Sequence, residues 1–147
     1  MNNKYKAITD FLFTTPMPTL KICSNSMQPL LTEGQQISIL PLRRPLTCGK
    51  CYIFVYKGKL FVHRLIRTMN SKAVFIADSA QKNEVVPIDA IIAEPVLYQK
   101  RISIFIVRML NYFFYFFIKK FPFLARLRVK TVRGIIKCER ALYERGI

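Results

Sequence analysis

The stretch Ser24-Asn25-Ser26-Met27-Gln28-Pro29 places two serines two residues apart, just ahead of the apolar pair Leu30-Leu31. A serine hydroxyl is a weak nucleophile at neutral pH unless a base removes its proton. The chain has one histidine to do this, His63, within Phe61-Val62-His63-Arg64-Leu65-Ile66. Imidazole, with a reference pKa of about 6.5, is mostly neutral at physiological pH and ready to accept that proton. A carboxylate on the far ring nitrogen would fix the tautomer and stabilise the imidazolium. Asp78, in Phe75-Ile76-Ala77-Asp78-Ser79, offers one at the end of a strand-like run. Ser26, His63 and Asp78 are therefore a candidate triad in that chain order.

Those residues need a scaffold. Residues 36–98 read as β structure. Gln35 to Leu40 alternates, Cys51 to Tyr56 is a short β-rich run, and Leu60 to Arg67 follows Lys57-Gly58, a natural tight turn. Lys72 to Ala77 and Ala90 to Tyr98 are two more candidate strands. Short strands at close spacing predict a mainly β fold, a small antiparallel barrel or sandwich over residues 1–98. Residues 99–147 are expected to form a separate helical extension.

The fragments Ser24-Asn25-Ser26-Met27-Gln28-Pro29, His63-Arg64-Leu65-Ile66 and Ala77-Asp78-Ser79, in this order, resemble the catalytic core of type I signal peptidases and their LexA-like relatives. The resemblance covers roughly residues 22–98. It implies a small signal-peptidase-like β fold and a serine endopeptidase activity. It implies that Ser26, directly before Met27, is the nucleophile, and that the Ser24 hydroxyl, with the Ser26 backbone N–H, forms the oxyanion hole. His63 occupies the position of the general base, where histidine rather than lysine resembles the endoplasmic-reticulum and archaeal branch. A lysine base must be desolvated to bring its pKa down by about three units; a histidine avoids that. Asp78 matches the acidic residue after the following strand. The chain departs from the family in reading Ala77-Asp78-Ser79 where Gly-Asp-Asn is usual, and Glu84 or Asp89 can fill the same role. The family's N-terminal transmembrane anchor is not expected from these opening residues.

The opening residues contain only the short apolar run Phe11-Leu12-Phe13 before Pro16 and Pro18, unlike a secretory signal. The four cysteines, Cys23, Cys48, Cys51 and Cys138, are accordingly expected to be reduced thiols. Cys48 and Cys51 have the spacing of half a zinc site, but the complementary pair is lacking, so no metal and no cofactor are expected.

The net charge is +16, unevenly spread. Residues 1–97 carry 12 Lys/Arg against 6 Asp/Glu, and residues 98–147 carry 12 against 2. Seven of the twelve phenylalanines fall between Phe105 and Phe123, which favours a lipid surface over nucleic acid as the anionic partner. Only about 22 residues precede the serine motif, too few for a helix-turn-helix module, so no nucleic acid is expected. Beyond Pro122, Arg126, Lys130, Arg133, Lys137 and Arg140 recur at steps of four and three and define one face of a basic amphipathic helix, with Leu124, Leu127, Ile135, Ile136 and Leu142 opposite.

Residues 102–118 are at the lower length limit for a span and contain Arg108. The expectation is that both helices lie in the plane of the cytoplasmic leaflet; the alternative is a single span with the catalytic domain outside. The expected partners are a peptide or preprotein substrate, carrying a signal or leader segment, and anionic membrane lipid. A catalytically inactive membrane scaffold of the same fold is the competing function.

Overall fold

In this computed structural model, residues 3–79, 83–97, 105–106, 109–110, 113 and 123–144 are described. The centre of the fold is a hairpin. Strand β3 (Cys51–Tyr56) runs into β4 (Lys59–Met69) through Lys57 and Gly58, at φ 49° and 74°. Two successive positive φ angles are what a type I′ hairpin turn requires, and glycine accepts the second without strain. The predicted turn is therefore found where Lys57-Gly58 placed it.

Around this hairpin the remaining strands are β1 (Thr19–Lys21), β2 (Gln36–Pro41), β5 (Lys72–Ile76), β6 (Asn83–Pro87) and β7 (Ile91–Pro95). They form one antiparallel sheet in the order β1-β2-β7-β3-β4-β5-β6, curled into a half-barrel. Two register breaks bend it. One lies between Ile53 and Phe54 against β7, the other between Leu65 and Arg67 against β5. An extra residue at such a point increases local twist and turns the strand.

The concave side is filled by Tyr52, Phe54, Leu65, Phe75, Val86 and Ile91. Phe54 stacks on Phe75 with ring centroids 4.3 Å apart. A second cluster, Met27, Leu31, Ile37, Cys51 and Ala77, fills the other face of the β3–β4 hairpin and ties the serine loop to the sheet. Helix α1 (Asn3–Leu12), unforeseen in the sequence, lays Tyr5, Ile8 and Leu12 over Ile39, Ile53, Val55 and Ile92. Steps of three and four put these residues on one helical face.

Helix α2 (Phe123–Glu144) docks on the serine loop through Val132 and Ile136, which pack against Leu30. The expected amphipathic helix is present, but rotated. Leu127 is exposed, while Arg128 is 1% exposed. Among the described residues no helix is long and apolar enough to cross a membrane. Most of residues 102–118 lies outside the described residues; of that run Phe105, Ile106, Met109 and Phe113 are exposed.

All four cysteines are free thiols. Burial pushes the Cys51 thiol up to about 12, the nearby Arg64 charge opposing this and Asp78 adding to it. A neutral thiol is unreactive, so alkylation of the native protein at pH 8 should modify the exposed Cys23 and Cys138 and spare Cys51, read by peptide mass mapping. Because the folded value lies above the ordinary thiol value of 9.0, the thiol's contribution to stability is complete below pH 9 and fades as pH rises towards 12. Alkaline denaturant titrations should show the wild type losing stability across that window and Cys51→Ala losing less.

Candidate functional site

His63 is set by the β4 register. Strand β5 pairs with β4 only from Arg64, opposite Ile76, onwards. The stretch from Lys59 to His63 pairs with β3 but has its other edge free of β5. The serine loop, residues 24–31, comes up beside this open edge. Its shape is held by Asn25, whose Oδ1 accepts from Glu33 N at 3.1 Å and from Gln28 Nε2 at 2.8 Å. A Leu31 N–H bond to Met27 O at 3.0 Å closes a helical turn behind the serine.

This arrangement puts Ser26 Oγ 3.2 Å from His63 Nε2. On the other side of the ring, His63 Nδ1 lies 2.9 Å from Glu84 Oε2. An ionised carboxylate only accepts, so Nδ1 carries the proton and Nε2 is left to accept from the serine hydroxyl. His63 is 3% exposed and is walled by Phe54 and Phe61, with centroids 5.8 and 5.6 Å away. These rings fix its plane and keep bulk water from competing for its nitrogens.

The carboxylate on His63 is therefore Glu84 and not Asp78, which corrects the candidate triad. Asp78 is fully buried and engaged elsewhere. Its Oδ1 accepts from Arg64 Nε at 2.9 Å and its Oδ2 from Arg64 Nη2 at 2.7 Å. The reason is the two-residue period of a strand. Adjacent residues His63 and Arg64 point to opposite faces; Glu84 pairs with Phe75 across β5–β6 and shares the His63 face, while Asp78 meets Arg64 behind it. Asp89, the other alternative, sits exposed in the 3-10 turn Ile88–Ala90.

Ser24 Oγ donates to Ser26 Oγ at 3.2 Å, so the two serine hydroxyls stand side by side. Ser79, which the sequence did not single out, closes the back of the loop. Its N–H donates to Ser26 O at 2.9 Å and its Oγ to the same oxygen at 2.7 Å. A groove of about 640 Å³ opens in front of Ser26, between Leu20, Ile22 and Cys23 on one side and Lys59, Leu60 and Val62 on the other. That volume is within the range of ligand sites, roughly 300–1,000 Å³.

Of the basic residues assigned to a lipid surface, Arg126, Lys130, Arg133 and Lys137 are exposed and line one shallow groove that reaches Ser79. The Arg140 side chain lies outside the described residues. Comparison with protein-family models, curated proteins and solved structures returned no match.

The two acids should behave differently on substitution. Asp78→Ala strands the buried Arg64 guanidinium and should cost about 3–5 kcal/mol in denaturant unfolding. Glu84 is partly exposed, so Glu84→Gln should leave the unfolding midpoint nearly unchanged while slowing any reaction of Ser26. Equal midpoints for the two variants would contradict this division.

Proposed function

We propose that this protein is a serine endopeptidase of the signal-peptidase and LexA-like kind, with Ser26 as nucleophile, His63 as general base and Glu84 as the residue that orients it. The observation that carries the reading is the continuous chain Ser26 Oγ, His63 Nε2, His63 Nδ1, Glu84 Oε2, at 3.2 and 2.9 Å across its two gaps. It opens on a groove rather than being sealed in the core.

In the reaction, Ser26 Oγ attacks a peptide carbonyl carbon as its proton passes to His63 Nε2. The carbonyl π pair moves onto oxygen, and the resulting oxyanion is stabilised by hydrogen bonds from the Ser24 hydroxyl and the Ser26 N–H. The tetrahedral adduct collapses, the C–N bond breaks, and Nε2 returns the proton to the leaving amine. Water, deprotonated by the same nitrogen, then cleaves the acyl ester and restores the serine.

The substrate is proposed to be an extended signal or leader segment of an exported or matured peptide. The edge of β4 from Lys59 to Val62, not paired with β5 and without another strand on it among the described residues, suits β-augmentation, and the groove walls Leu20, Ile22, Leu60 and Val62 suit apolar side chains. The basic face of α2 and the exposed Phe105, Ile106, Met109 and Phe113 support attachment to an anionic, cytoplasm-facing leaflet.

Ser26→Ala should abolish cleavage of a leader-peptide substrate with the fold intact, and a folded variant that still cleaves would overturn the assignment. Ser24→Ala should lower turnover by about 10²–10³. The pH dependence follows from the base: activity should fall on acidification, because a protonated imidazole cannot take the serine proton. A rate still climbing through strongly alkaline pH would instead indicate a lysine base.

Binding to anionic vesicles should be strong at low salt and lost at high salt. Replacing Arg126, Lys130, Arg133 and Lys137 with Gln should weaken it by about 1 kcal/mol per cation, measured by co-sedimentation. Equal binding to neutral vesicles would contradict the electrostatic part of this proposal.

A further inference from the structure

Helix α2 carries a buried arginine that the chemistry just described does not use. Arg128 is 1% exposed, and its Nη2 donates to Ala77 O at 3.3 Å. It approaches the same turn that holds Asp78, so two buried arginines, Arg64 and Arg128, flank one buried carboxylate. Burial lowers Arg128 to about 10, with Asp78 working against that shift and Arg64 with it; the group remains charged at neutral pH. Burying a cation is costly, and an apolar side chain at this point of the helix would avoid that cost.

The turn it reaches is the one that holds the nucleophile. Ala77 and Asp78 lead directly into Ser79, whose N–H and hydroxyl both bond to Ser26 O, and whose hydroxyl also lies 3.0 Å from Asn25 O. The same helix presses Val132 and Ile136 on Leu30, at the other end of the serine loop. Both ends of that loop are therefore braced by α2, one through Arg128 and Ala77–Ser79, the other through apolar contact.

Resting on the assignment of Ser26 as nucleophile, we infer that Arg128 is a positioning residue: α2, through Arg128 and the Ala77–Ser79 turn, holds Ser26 at hydrogen-bonding distance from His63. The C-terminal helix is then part of the catalytic unit. Because its outer face carries the basic groove that reaches Ser79, an anionic surface on that face touches the element that sets the nucleophile.

The test compares full-length wild type, Arg128→Met, which keeps an apolar stem and removes the guanidinium, and Arg128→Lys, which keeps the cation. Two quantities are read: the rate at which a fluorophosphonate labels Ser26, and the amide hydrogen exchange of Ser79, whose N–H bond to Ser26 needs no chemistry to be observed. Arg128→Met should slow labelling about 10- to 100-fold, as expected for a displaced reacting group, and speed Ser79 exchange, while exchange in β3 and β4 is unchanged. Arg128→Lys should recover part of both effects. Should Arg128→Met not fold, Arg128→Lys against wild type carries the same comparison. Wild-type labelling rate and wild-type Ser79 exchange in a folded variant would overturn the inference. A wild-type protein that the probe does not label would count against the peptidase reading, and Ser79 exchange would still decide whether Arg128 holds the loop.

Discussion

The buried ion pair between Arg64 and Asp78 is the interaction on which the site depends. It is bidentate, with two short charge-assisted bonds, and both side chains are fully removed from solvent. Such a pair adds little net stability over apolar packing, but it fixes geometry, since either partner alone would be a stranded charge. Here it clamps the turn leaving β5 to the middle of β4. That turn ends in Ser79, whose two bonds to Ser26 O set the height of the serine loop against the sheet. Arg64 is also the neighbour of His63. One strand thus directs the base forward to Ser26 and the anchor backward to the turn that carries Ser26.

The division of the two acids follows. Asp78 serves structure and Glu84 serves the imidazole, and they are kept apart by the thickness of the sheet. The aromatic face around His63, where Phe54 stacks on both Phe61 and Phe75, leaves the ring little room to rotate. The β4 residues just before His63, Lys59 to Val62, line the groove, and His63 meets it through Ser26. Rigid support behind and, among the described residues, an edge not paired with β5 in front are what the proposed peptide-cleaving site needs.

Much of this could be read from the sequence because it is local. The β3–β4 hairpin announces itself through Lys57-Gly58, and the serine–histidine pair through the contiguous motifs around Ser26 and His63. Glu84 was harder, because the choice between it and Asp78 depends on which face of the sheet each reaches after a turn. Strand β1 has three residues and β6, Asn83–Pro87, has no long apolar run, so neither stands out. Arg128 is hidden for a different reason. Helical spacing alone sends arginines to water and leucines to the core, whereas here Leu127 faces out and Arg128 faces in. Its position four residues before Val132 and eight before Ile136 was the available sign.

The central claim is that Glu84 holds His63 with the proton on Nδ1 and the lone pair of Nε2 turned to Ser26. With a single histidine in the chain, ¹H–¹⁵N NMR of the imidazole reads this without assignment ambiguity. In the neutral imidazole one protonated ring nitrogen is expected, Nδ1, with a strongly downfield, slowly exchanging proton that Glu84→Gln shifts and Asp78→Asn leaves in place. A ring protonated on Nε2, or a Nδ1 proton insensitive to Glu84→Gln, would contradict it.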